Sequence, residues 1–132
     1  MSAAGIVFAA EDTLTVASFG DLRSLDPLPS SENVTGNALL QIFETLVYIA
    51  PDGQLEPMLA ESWEQPTPLT YLFYIKKGVK FHNGDECTAD DVKYTLGRAQ
   101  TPAGAAARAL IKDMESVEVL DKYTLRINMK KP

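Results

Sequence analysis

From Leu59 to Leu96 the chain reads LAESWEQPTPLTYLFYIKKGVKFHNGDECTADDVKYTL, and the order of elements in this stretch decides the architecture. Trp63, the only tryptophan, stands just before Pro66-Thr67-Pro68, a break that excludes a continuous helix or a central strand. Thr70 to Lys76 is rich in aromatic and β-branched residues. Tyr71, Phe73 and Ile75 fall on one side, with Thr70, Leu72, Tyr74 and Lys76 on the other, which predicts a strand with one strongly apolar face and one mixed face. Lys77-Gly78 turns the chain, Val79 and Phe81 predict a brief second strand, and Asn83-Gly84 supplies residues that tolerate positive φ.

Thr88 then opens a helix. Thr88-Ala89-Asp90-Asp91 has the layout of an N-cap: the threonine hydroxyl can accept a bond from the orphan amide of Asp91, and two acids sit at the positive end of the helix dipole. Asp stands where Glu or Gln would complete the capping box. Val92, Leu96 and Ala99 share one helical face.

Working outward, Thr13-Leu14-Thr15-Val16-Ala17 alternates and predicts a first strand, followed by a loop over Ser18-Phe19-Gly20-Asp21. Leu25-Asp26-Pro27-Leu28-Pro29 is expected to be extended, because each proline biases its predecessor away from helix. A helix is expected from about Thr35 to Val47, since Leu39, Ile42, Phe43, Leu46 and Val47 fall at the spacing of one buried stripe. Ala50-Pro51-Asp52-Gly53 is a turn with proline early and glycine late, and Gln54 to Met58 leads into the central stretch. Downstream, Thr101-Pro102-Ala103-Gly104 ends the helix, and the alanine-rich Ala105 to Met114 favours another. Ser116 to Leu120 and Tyr123 to Met129 predict a hairpin about Asp121-Lys122. Tyr123, Leu125, Ile127 and Met129 face one way; Thr124, Arg126, Asn128 and Lys130 are polar and mark a wet face.

At 132 residues the chain has the size of one ordinary domain and can bury a core. A net charge of −6 argues against nucleic acid or an anionic membrane as partner, since both require a basic patch. The lone Cys87 makes no intrachain disulfide and no CxxC pattern. Ser2 to Ala10, SAAGIVFAA, reads equally as the end of a secretory signal sequence with cleavage before Glu11 or as an ordinary apolar N-terminus that packs; it lacks a basic n-region.

The run W-E-x(4)-L-T-Y-x-F-x-I-K-K-G-V-K-F-H-N-G-D-x-x-T-A-D-D-V-K-Y-T-L resembles the signature of the family 5 extracellular solute-binding proteins, the oligopeptide, dipeptide and nickel binding components of ABC importers. The likeness extends upstream through Leu25-Asp26-Pro27 and Phe43-Glu44-Thr45-Leu46-Val47, and downstream through Val117-Glu118-Val119 and Tyr123-Thr124-Leu125. The resemblance implies an α+β (α/β) fragment of the periplasmic-binding-protein type II kind, with a small mixed or antiparallel sheet and packed helices. It implies the N-terminal part of a longer protein, with 13–47 the start of the large ligand-binding lobe and 48–132 part of the small lobe, after a signal-sequence remnant or leader at 1–12. The loop after the first strand would lie near the solute, with Phe19, Gly20 and Leu25 as ligand-binding residues, backbone polar groups orienting the solute and an apolar side chain walling a pocket. The implied partners are a small solute of peptide type and an ABC importer permease, in the periplasm or outside the cell with a possible lipid anchor, and no cofactor.

Enzymatic readings find little support in the residues. His82, the only histidine, sits in a turn, and Cys87 is near it in sequence without an activating arrangement. His82, Asp85, Glu86 and Cys87 mix hard and soft donors in one turn and match no zinc or calcium template. Asp90 and Asp91 point about 100° apart on a helix, and their first-turn position explains both. Isolated glycines give no phosphate-cradling loop. Trp63, Tyr71, Phe73, Tyr74 and Phe81 read as core at strand spacing rather than as a stacking surface, with Tyr74 the best candidate for an exposed ring. The alternative to a receptor is a stand-alone structural or protein-interaction domain derived from the small lobe. A chain of this extent is also expected to self-associate or to hold its N-terminal segment loosely, because the strand Thr13 to Ala17 and the stripe around Ile42 and Phe43 partly lose their covering.

Overall fold

The computed structural model describes residues 20–22, 24–28 and 33–132. The expected first strand Thr13–Ala17, the apolar Ser2–Ala10 and Phe19 lie outside the described residues. In chain order the elements are α1 (Asn33–Leu39), β1 (Val47–Ile49), β2 (Leu55–Pro57), β3 (Ala60–Thr67), β4 (Thr70–Ile75), α2 (Ala89–Ala99), α3 (Ala105–Leu110), β5 (Met114–Asp121) and β6 (Thr124–Met129), with a 3-10 turn at Pro102–Gly104 before α3. The described strands form a β1–β2 hairpin and a sheet in the order β3-β4-β6-β5, antiparallel at every pairing.

Alternation along the strands makes one face of the larger sheet apolar. Phe73 pairs with Leu125 and Tyr71 with Ile127 across β4 and β6, and Val117 and Val119 extend the same rows onto β5. Over this face lies α2, whose Ala89 and Val92 join Ala60, Ile75 and Leu125 in the buried core, with Leu96, Phe73, Val117, Val119 and Ile127 packed around it. Pro66 sits in β3, the sheet's edge, inside the register shift between Glu64 and Thr67; an edge with a bulge is where a missing N–H is tolerated. The opposite face is polar, as the alternate set predicts. Arg126 pairs with Glu118, and Asn128 Nδ2 donates to Ser116 Oγ at 2.9 Å and Glu118 Oε1 at 3.0 Å.

The start of α2 is tighter than the sequence required. The Asp91 carboxylate accepts both the Thr88 N–H at 2.8 Å and the Thr88 hydroxyl at 2.9 Å, so the reciprocal half of the capping box is made by the shorter acid. Ahead of it, Gly78 and Gly84 take φ of 75° and 93°, the left-handed backbone for which glycine suits.

Five expectations are corrected. The helix expected over Thr35 to Val47 ends at Leu39; only Leu39 of its stripe is buried, while Ile42 and Phe43 are each 43% exposed. The β-branched alternation of Thr45, Val47 and Ile49 is drawn into pairing instead: Val47–Ile49 pairs with Leu55–Pro57, and the Thr45 and Leu46 carbonyls accept the Leu59 and Ala60 amides at 3.0 and 2.9 Å. The second strand expected at Val79 and Phe81 is a single bridge between Lys80 and Glu86. With Phe81 left 45% exposed, that ring is outside the core, and it is Phe81 rather than the half-buried Tyr74 that stands out from the aromatic set. Leu25 to Leu28 bends rather than extends, because the Asp26 carboxylate accepts the Leu28 N–H at 3.2 Å and closes an Asx turn. The alanine-rich helix stops at Leu110, and Met114 already belongs to β5.

Candidate functional site

Of the three residues assigned to solute contact, Phe19 lies outside the described residues, Gly20 is exposed and Leu25 is 62% exposed. The segment that carries them is tied to the rest of the molecule from one residue on. Asp26 donates its N–H to Ser24 Oγ at 2.9 Å, and its carboxylate meets the Arg98 guanidinium in the last turn of α2. Arg98 Nη1 donates to Asp26 Oδ1 at 3.0 Å and Arg98 Nη2 to Asp26 Oδ2, a fork-to-fork pairing that fixes direction as well as distance. Beyond it Leu28 is buried. The Arg98 guanidinium, with the Leu28 N–H adding to it, holds the Asp26 carboxyl below its ordinary value against a smaller opposing effect of desolvation. The arginine is held correspondingly more basic by Asp26.

A second cluster locks the loop before α2 to the β5–β6 turn. Lys122 Nζ donates to Glu86 Oε2 at 2.7 Å, the Tyr123 hydroxyl donates to Glu86 Oε1, and the Ala89 N–H reaches the Lys122 carbonyl at 3.0 Å. Lys122 and Lys77 place their ammonium groups 5.3 and 5.6 Å from the Tyr123 ring centre, within cation–π range.

These arrangements hold and orient, and they lack the features of a reacting centre. Cys87 is buried, and burial first, then the charges of Asp91 and Glu44, push its thiol up, away from the thiolate a nucleophile needs. His82 is exposed in its turn. Among the described residues no cluster of three or more His, Cys, Asp or Glu is placed to hold a metal ion, and no helix is long and apolar enough to cross a membrane. An open surface depression over α2 is lined by Asp90, Lys93, Tyr94, Gly97, Arg98 and Thr101. Arg98 and the 72%-exposed Tyr94 escaped the sequence reading. An arginine in a last helical turn reads as a complement to the helix dipole, and nothing local signals a partner 72 residues earlier.

The family model described as bacterial extracellular solute-binding proteins, family 5 Middle, matches residues 54–132, the stretch that builds the whole β3-β4-β6-β5 sheet and α2. The chain belongs to this family. Family 5 comprises binding proteins rather than enzymes. Its member GsiB of Escherichia coli strain K12, a glutathione-binding protein, is 30% identical over 131 residues, 98% of this chain and 25% of its own length. NikA of Brucella suis, solved in complex with Fe(III)-EDTA, is 35% identical with a TM-score of 0.73 over 85% of this chain and 23% of that one. DppA of Helicobacter pylori, an ABC transporter-associated periplasmic binding protein solved with the peptide STSA, is 27% identical with a TM-score of 0.72 over 85% of this chain and 26% of that one. This family 5 chain thus spans about a quarter of the length of the curated relatives it matches.

Proposed function

We propose that this chain is part of an extracytoplasmic solute-binding protein that delivers a peptide or a similar small solute to the permease of an ABC importer. The observation that carries the reading is that the same stretch of chain, matched in sequence or in fold, recurs in relatives whose named cargoes differ: glutathione, Fe(III)-EDTA and a tetrapeptide. A unit common to such different cargoes is scaffold, and cargo choice belongs to other parts of the protein. On this reading residues 48–132 are small-lobe scaffold, residues 13–47 begin the large lobe behind a leader at 1–12, and Phe19, Gly20 and Leu25 stand beside the solute. The exposure of Gly20 and Leu25 suits residues that face a cleft.

The division of labour is testable by isothermal titration with a panel of di- to pentapeptides. The 132-residue chain is expected to show no micromolar binding, because half a cleft leaves the solute solvated and unclamped. A protein of family length carrying this chain is expected to bind one solute class saturably. Micromolar binding by the 132 residues alone would place the cargo site inside the scaffold and overturn the reading.

A further inference from the structure

We propose that Arg98 is a positioning residue: from the last turn of α2 it holds the segment 24–28 in place, and so sets where Leu25, and the approach to Gly20, stand relative to the scaffold. The consequence for cargo rests on the cleft reading above; the anchoring itself does not. Residues 20–22 and 24–28 belong to no strand or helix. Among the described residues their backbone makes no hydrogen bond to one, and their own bonds, through Ser24 Oγ and Asp26 Oδ1, are local. The link to Arg98 is different in kind because it spans 72 residues. Arg126–Glu118 joins neighbouring strands and Lys122–Glu86 joins a loop to an adjoining turn.

The geometry makes the grip directional. The two terminal guanidinium nitrogens each meet one carboxylate oxygen, which lysine, a point charge, cannot reproduce. The oxygen that takes the Nη1 bond also accepts the Leu28 N–H, so the carboxylate that Arg98 fixes is the one that shapes the backbone turn. Arg98 is in turn held by its own helix, whose next residue, Ala99, is 3% exposed. Leu25 is therefore aimed outward by its neighbour's attachment to α2.

Hydrogen exchange read by mass spectrometry on the 132-residue chain tests this without any solute, so its failure is separate from a failure of the peptide titration. In Arg98→Gln the Asp26 and Leu28 amides, the hydrogen-bonded ones of the segment, are expected to exchange severalfold faster while β4 and β6 keep their protection. Arg98→Lys is expected to behave like Arg98→Gln, since it retains charge and loses the fork. Asp26→Asn removes the charge and one of the two acceptors of the fork without touching α2 and should give the same local pattern even if the arginine variants fold poorly. The swap of Asp26→Arg with Arg98→Asp should restore part of the protection. Unchanged exchange at these two amides in Asp26→Asn, or a rise spread evenly through the sheet, would show that the pair does not position the segment.

Discussion

Leu125 has no exposed surface and sits in the core with Ile75, Val92 and Ala60. Its place was legible: the set Tyr123, Leu125, Ile127, Met129 alternates on one face, and the residue nearest the middle of that row is the one α2 covers. Truncation there removes packed methyl groups that neighbours on two strands and a helix cannot all move to replace. Leu125→Ala is accordingly expected to cost about 2–5 kcal/mol in urea unfolding; a loss below about 1 kcal/mol would mean that the site collapses freely. Gly104 teaches the opposite lesson. Its sequence context says only that a helix ends nearby, yet a Cβ built there would lie 2.5 Å from the Ala99 Cα and carbonyl oxygen. That crowding is tertiary, set by the return of the chain against the end of α2, and no local pattern announces it. Gly104→Ala is expected to destabilise by about 1–3 kcal/mol, as overpacking does, with an unchanged far-UV spectrum.

At the scale of elements, the stretches that were legible are those whose reasons are local: the alternating β4, the Thr88 cap, the Asp121-Lys122 turn and the turn closed by Gly53. The stripe Leu39-Ile42-Phe43-Leu46-Val47 misled because the same residues fit two periods, and the decision fell to the partners Leu55–Pro57, Leu59 and Ala60, which periodicity does not register. Polar locks between elements were equally hidden. Glu86 is the clearest. Hydrogen bonds from Lys122 first and Tyr123 second hold its carboxyl below the ordinary 4.5. A lowered folded value means that the unfolded chain takes up the proton more readily. The stabilisation is therefore full above pH 4.5 and drains away as pH falls through the folded value. Asp26, held down by Arg98, and Glu118, held down by Arg126, act in the same sense. Lys122, made more basic chiefly by Glu86, has the mirror behaviour: its contribution is full below 10.5 and lost as pH rises through the folded value. Glu86→Gln is thus expected to lower the urea midpoint at neutral pH and to converge on the unaltered chain as pH falls below the folded value, where the carboxyl is protonated in both states. A midpoint difference that persisted unchanged into acid would show that Glu86 acts through packing and not through its charge.

Across the whole molecule, apolar residues are unevenly covered. The sheet face under α2 is closed, while Leu40, Ile42, Phe43, Tyr48, Ile49 and Leu55 are all more than 40% exposed within one short run of chain. Clustered exposure of this kind marks a surface that meets something, whereas isolated apolar residues elsewhere on the surface carry no such meaning. Ile49 and Leu55 pair directly across the β1–β2 hairpin and are 67% and 52% exposed, so they present one continuous patch on two neighbouring strands. On the proposal that this chain is part of a longer receptor, the remainder of that protein would cover this run, and in the isolated 132-residue chain a second copy is the expected cover. Light scattering of the 132-residue chain is expected to give a mass above that of the monomer that grows with concentration. Replacing the pair by Ile49→Lys with Leu55→Glu keeps a cross-strand partnership of opposite charge, so the hairpin is retained while the apolar surface is removed. That double variant is expected to run as a monomer with the same far-UV spectrum. A strictly monomeric unaltered chain over the same concentrations would show that the exposed run is not adhesive, and equal association in both chains would move the contact to another face.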